Sequence, residues 1–151
     1  MTVDTVGLSG GDRYMIDLEL AQYRKYLDRF TGYVDDMRKR SDDSKLEELS
    51  KLRGISIEQL RESGIFYIGS MAEMLVPKYL KELEDFGVIS GTNRKPIFSD
   101  RWVIPIKAVC GRVKNLVGYS NTARERYVYG TGIYYRRNED MYGLENLRLA
   151  Y

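Results

Sequence analysis

Histidine is missing from these 151 residues, cysteine occurs once, at Cys110, and there are only three prolines. With one cysteine no disulfide can close within the chain. One cysteine and no histidine also leave no set of four nitrogen or sulfur ligands for an ordinary structural zinc. The same deficit removes serine-histidine, cysteine-histidine and other histidine-based acid-base schemes. Long apolar runs are absent too: nothing approaches the about 20 residues that cross a bilayer. The N-terminal MTVDTVGLSGGD has neither the basic start nor the apolar core of a signal peptide. A cytoplasmic chain with no membrane partner is the expectation. No glycine-rich phosphate loop of Walker or Rossmann spacing occurs either.

What is present fits one folded unit. Apolar residues at 43% and charged residues at 30% match a globular protein, and the length suits one core, or a core with a helical extension. The net charge of +2 conceals an asymmetry. Residues 1–87 carry 13 Lys and Arg against 17 Asp and Glu, whereas residues 88–151 carry 11 against 5. A positive field gathered at one end attracts phosphate backbones; an acidic protein partner would fit the same charge.

Residues 1–11 are rich in Gly, Ser and Thr without a period and predict a disordered tail. Asp12 offers a cap, and Ile16, Leu20, Tyr23, Leu27, Phe30, Val34 and Met37 follow at alternating spacings of four and three. That stripe predicts a long helical arm over 12–43, with Gly32 as a weak or bent point. Its apolar face suits packing, within the chain or against a second copy. Ser44 with Glu47, and Ser56 with Gln59, have capping-box spacing and predict two short helices closed by Gly54 and Gly64. Ile65, Tyr67 and Gly69 predict a brief extended segment. Pro77 opens a predicted helix over 77–86, ended by Gly87. Val88-Ile89, a polar turn and Ile97-Phe98 follow, the way a winged helix-turn-helix finishes, so a DNA-binding regulator is one reading.

From residue 101 the pattern turns to sheet, with arginines and tyrosines interleaved, a combination suited to a polyanion with stackable bases. A strand over 102–106 contains Pro105, which lacks a donor and belongs at an edge or a bulge. Val109-Cys110-Gly111-Arg112 predicts a turn, and 113–119 the returning strand of a hairpin. Residues 126–129 and 133–135 predict two more strands, and Leu144, Leu147 and Tyr151 one face of a closing helix. The fold class expected is α+β: N-terminal helices, a small mostly antiparallel sheet, and a C-terminal helix.

Taken in order, Leu52-Arg53-Gly54-Ile55-Ser56, Ile68-Gly69, Gly87-Val88-Ile89, residues 101–106, Gly118-Tyr119, Arg126-Tyr127 and Tyr142-Gly143-Leu144 resemble the N-terminal subdomain of the catalytic core of bacterial-type DNA primases. The resemblance covers residues 50–151 and makes 44–151 the basic subdomain. It implies a part of a DNA-directed RNA polymerase, a nucleotidyltransferase that makes RNA primers for replication. Its partners would be single-stranded DNA, NTPs, the TOPRIM half of the enzyme and, in a primosome, a replicative helicase. Arg101 matches the arginine before the family's FPI, here Ile104-Pro105-Ile106. Arg126 matches the lysine of its KYL, and Arg137 a lysine further on. The resemblance places these near template and nucleotide. Lys114 and Arg124 join them as basic positions, Arg124 standing in for a family arginine that is Thr122 here, and Tyr127 as a stacking or packing residue.

Arginine for lysine keeps the charge but turns a point donor into a planar fork. The longer hairpin, Thr122, and Tyr129-Gly130-Thr131-Gly132 in place of the family's NSPE mark a divergent, phage-borne member. No catalytic residue and no metal ligand is assigned in this chain. Asp100, Glu125, Glu139 and Asp140 read as surface charge. The resemblance implies magnesium or manganese on TOPRIM carboxylates, which would lie beyond Tyr151. The expectation is a chain that binds but does not polymerise. Its alternatives are a winged-helix regulator and a non-catalytic module using its basic face.

Overall fold

The computed structural model describes residues 10–134, with side chains from Asp17 onward apart from Met71. The alternating four-three stripe forms one unbroken helix, α1 (Gly10–Arg40). It starts two residues before Asp12, inside the stretch read as tail. Leu27, Phe30, Val34 and Met37 of the stripe are buried, and Tyr33 joins them. The second half of α1 is therefore a layer of the core, where each such side chain contributes about 1.5–3 kcal/mol. An arm-like character is confined to the first half, where Asp17, Leu18, Glu19, Ala21, Gln22, Arg24 and Lys25 are exposed. In the buried second half Gly32 makes room: a Cβ would stand 2.6 Å from the Tyr79 hydroxyl.

Two short helices follow, α2 (Ser44–Arg53) and α3 (Ile57–Glu62). The capping box at Ser56 forms as its spacing predicts, the Ser56 hydroxyl accepting from Gln59 N and Gln59 Oε1 from Ser56 N. The one expected at Ser44 and Glu47 does not. Asp42 replaces it, its carboxylate accepting from both the amide (3.0 Å) and the hydroxyl (2.8 Å) of Ser44. A charged acceptor two residues upstream outcompetes a serine hydroxyl at the positive end of a helix.

After β1 (Phe66–Ile68) and α4 (Met71–Met74), the helix expected over 77–86 divides. Pro77–Glu82 is a 3₁₀ helix and α5 is Leu83–Phe86. The tighter first turn keeps Tyr79 buried. It also offers the Lys78 carbonyl and the Glu82 carboxylate to Arg29 of α1, at 3.2 and 2.9 Å. Arg29 lies over the Tyr79 ring, 4.5 Å from its centroid. Val88 and Ile97 then close a small hairpin, with a single bridge between Ile89 and Pro96.

The sheet is antiparallel throughout, in the order β1-β2-β3-β4, with β2 (Arg101–Lys107), β3 (Val113–Tyr119) and β4 (Tyr127–Tyr129). The β1 ladder stops at Val103, so Pro105 lies past its end, and the register shifts between Ile106 and Lys107. Pro105 thus occupies the kind of position its missing donor demands. One face of the sheet carries Phe66, Ile68, Val103 and Leu116 into a core with α1, Phe86 and Phe98. The other carries Trp102 and Tyr119 into a second cluster with Leu46, Leu49 and Leu60 of α2 and α3. The α+β class expected from the sequence is the one observed.

Residues 133–134 form a turn rather than a strand. Ile133 N donates to the Asp85 carbonyl at 2.9 Å, so its donor is used against α5 and not in a ladder. Tyr135, Arg137, the expected C-terminal helix and residues 1–9 of the expected tail lie outside the described residues.

The backbone of residues 131–132 crosses Gly87 without room for a side chain. Gly87 ends α5 at φ +75°, and a Cβ there would lie 2.1 Å from Gly132 N and 2.5 Å from Thr131 N. Gly87→Ala adds a left-handed penalty of about 1–2 kcal/mol to an overpacking cost of about 1–3 kcal/mol. A loss of about 3 kcal/mol is expected in urea unfolding. Gly91, with open space around its Cβ position, serves as the control, and Gly91→Ala should stay within about 0.5 kcal/mol.

Candidate nucleic-acid interface

The β3–β4 turn, residues 120–126, carries two arginines two residues apart, Arg124 and Arg126. Ser120 fixes its base: its amide donates to the Arg126 carbonyl at 2.8 Å. Its hydroxyl accepts from the amides of Thr122 (3.2 Å) and Ala123 (3.0 Å). Ser120 is buried while Arg124, Glu125 and Arg126 are exposed. Among the described residues no carboxylate lies within ion-pair distance of Arg124 or Arg126.

Arg101 stands on the α1 face of the sheet and is only 9% exposed. Its Nη1 donates to the carbonyls of Glu125 (2.8 Å) and Arg126 (3.3 Å). The side chain reaches them across Gly118, where a Cβ would meet Phe98 Cδ1 at 2.7 Å and Arg101 Cδ at 3.0 Å. Burial lowers the Arg101 pKa, and the Glu125 charge raises it in opposition.

On the opposite face an aromatic row crosses the strands. Ring centroids are 5.3 Å apart from Tyr67 to Trp102, 5.9 Å from Trp102 to Tyr119 and 5.3 Å from Tyr119 to Tyr127. Trp102 Nε1 donates to the Lys45 carbonyl at 2.8 Å, and Lys45 Nζ lies 4.9 Å from the Tyr67 centroid. At the far end Arg53, the last residue of α2, lies over the Tyr119 ring at 4.6 Å. Its Nη2 donates to the Tyr127 hydroxyl at 2.7 Å. Tyr127 is thus packed and hydrogen-bonded.

Three of the positions singled out in the sequence, Arg101, Arg124 and Arg126, meet at this turn, and Tyr127 begins the strand that leaves it. Lys114 sits near the opposite end of β3, about 17 Å away at the rise of an extended strand. Arg137 falls outside the described residues. Sequence reasoning missed Arg53 as part of the assembly. A cation in the last turn of a helix, directly before its glycine stop, was the available signal. Among the described residues no three Asp, Glu or Cys side chains converge on one point.

No protein-family model matches the sequence, and no curated protein does. Solved structures do. A DnaG primase catalytic domain bound to single-stranded DNA superposes with a TM-score of 0.61 at 18% identity, over 78% of this chain and 41% of its own. The zinc-binding and RNA polymerase domains of the Aquifex aeolicus primase give 0.58 at 23%, over 74% and 31%. The RNA polymerase domain of Mycobacterium tuberculosis DnaG, in complex with a double-stranded DNA oligomer with a 6-nucleotide overhang, gives 0.56 at 16%, over 72% and 40%. The chain is similar in fold to part of a primase catalytic core. It spans between 31% and 41% of the length of these three solved chains. At these identities the likeness to primase is one of fold, and the functional residues rest on the geometry of this chain.

Within this primase-like fold the Arg53 contacts are testable as packing. Arg53→Ala removes a charged hydrogen bond and a cation over a ring, and should cost about 1–3 kcal/mol in urea unfolding. Tyr127→Phe loses the hydrogen bond alone and should cost less than half as much. Equal costs would show that the ring contact contributes nothing.

Proposed function

We propose that this chain is the part of a DNA primase that holds the single-stranded template and the incoming nucleotide. The observation that carries this reading is the exposed Arg124–Arg126 turn, fixed to a sheet inside a fold similar to that of a primase domain bound to single-stranded DNA. Arg124 and Arg126 neutralise phosphate, and their planar forks also stack on bases. Lys114 adds a further phosphate contact along β3. Tyr127 orders the turn from its C-terminal side, and Arg137, beyond the described residues, extends the basic row. NTPs are the small-molecule ligands, and the TOPRIM half of the primase and a replicative helicase are the protein partners.

Template holding requires that a strand be kept in register while chemistry happens beside it, which is a positioning task. The chemistry belongs to magnesium or manganese on TOPRIM carboxylates, ions that stabilise the attacking and leaving oxygens of nucleotidyl transfer. In this reading the metal chemistry is the other half's and the role of this chain is binding. Divergence from the primase pattern at Thr122 and at residues 129–132 agrees with a phage-borne origin.

A winged-helix regulator is disfavoured by the helices ahead of the Val88–Ile97 hairpin. The stretch directly before it, 77–86, is 3₁₀ over Pro77–Glu82 and α-helical only over Leu83–Phe86, with Tyr79, Leu83 and Phe86 buried in the core, so it is not a regular α-helix free to lie in a major groove.

Fluorescence anisotropy with a labelled single-stranded oligonucleotide tests the proposal. Binding should weaken linearly in log affinity against log salt. Arg124→Ala with Arg126→Ala should flatten the slope by about 1.4, at about 0.7 per phosphate contact on a single strand. An unchanged slope would remove both arginines from the interface. No binding even at low salt would favour the module with an acidic partner, and tight sequence-selective duplex binding the regulator.

A further inference from the structure

We infer that Arg101 is a positioning residue: it sets the β3–β4 turn that presents Arg124 and Arg126, and does not itself contact phosphate. The inference rests on the template-holding reading above and deepens it by separating the basic residues into two roles. Its first support is burial. A phosphate contact needs a guanidinium that a backbone anion can reach, and Arg101 is 9% exposed, under the turn and on the α1 face of the sheet.

The second support is where its donors go. Nη1 serves the carbonyls of Glu125 and Arg126 together, and the Arg126 carbonyl is the one that receives the Ser120 amide. One carbonyl therefore joins the buried guanidinium, the closing amide of the turn and the residue offered to solvent. The third support is space. Gly118 leaves a channel floored by its own Cα and walled by Phe98 and Val128, and the Arg101 stem fills it. Hydrogen bonds from an ionised donor are stronger than neutral ones, and here two of them fall on adjacent carbonyls of the turn. A turn that is ordered before the strand arrives does not spend binding energy on ordering itself.

The salt slope distinguishes the two roles, because only a residue that releases counterions from phosphate contributes to it. Arg101→Met keeps the aliphatic stem but loses both the charge and the fork. Ser120→Ala loosens the same turn from its other side, and the two variants together guard against one that fails to fold. Both should bind single-stranded DNA about tenfold more weakly than the unmodified chain, with the slope unchanged. In both, hydrogen exchange at the amides of Ser120, Thr122 and Ala123 should speed up.

A slope reduced by about 0.7 in Arg101→Met, with those amides still protected, would make Arg101 a phosphate contact and overturn the inference. Faster exchange with unchanged affinity would also overturn it, since order in the turn would then be irrelevant to binding. If the unmodified chain binds no DNA, the template-holding reading fails. The exchange data then decide separately whether Arg101 holds the turn.

Discussion

In the pairing of β2 with β3, Trp102 stands opposite Tyr119 and Val103 opposite Gly118. Side chains alternate along a strand with a period of two, so this register decides what each face of the sheet receives. It sends Val103 and Leu116 to the core with α1, and Trp102 and Tyr119 to the leucines of α2 and α3. It also puts Arg101 beside Gly118, the one neighbour that leaves its stem a path. A slip of one residue would place the guanidinium among the aromatic rings and the tryptophan against α1. The basic turn would then lose its support from below, while Arg53 would lose the Tyr119 ring it covers. The position of the basic side chains is thus a consequence of how the apolar ones are buried.

Patterns that depend on local chemistry were legible in the sequence. The α1 stripe, the Ser56 capping box, the β2–β3 hairpin with its Pro105 interruption and the turn at Gly111 all follow from spacing, propensity and caps within a few residues. Apart from the Ser44 capping box, displaced by Asp42 two residues upstream, the errors lie where a distant group competes. The 3₁₀ turn at Pro77–Glu82 is bound to Arg29, forty-nine or more residues away in sequence. Ile133 looked like strand because its β-branched and aromatic neighbourhood is apolar, but its amide is taken by Asp85. Gly130 and Gly132 read as a departure from a family motif, and no periodicity announces that they let two backbones touch. The same limit applies to the candidate site. Arg124 and Arg126 could be found by charge and alternation, whereas the burial of Arg101 and the reach of Arg53 across 74 residues to Tyr127 are set by tertiary packing.

Arginines across the fold divide by what lies next to them. Arg29, Arg38, Arg61, Arg94 and Arg112 each meet a carboxylate, Arg112 through Asp28 at the hairpin tip. Such surface pairs add about 0–1 kcal/mol each to stability, but they cancel charge locally, so these arginines project little field. Arg101 takes a different route, giving its donors to the carbonyls of Glu125 and Arg126, neutral acceptors that leave the positive charge in place. With Arg124 and Arg126 exposed on the turn it supports, three arginines belong to one end of the sheet, and the Glu125 charge acts on Arg101 there. Because the carbonyls that accept from Arg101 are neutral, its charge adds to the positive potential of the turn instead of being cancelled by a paired carboxylate.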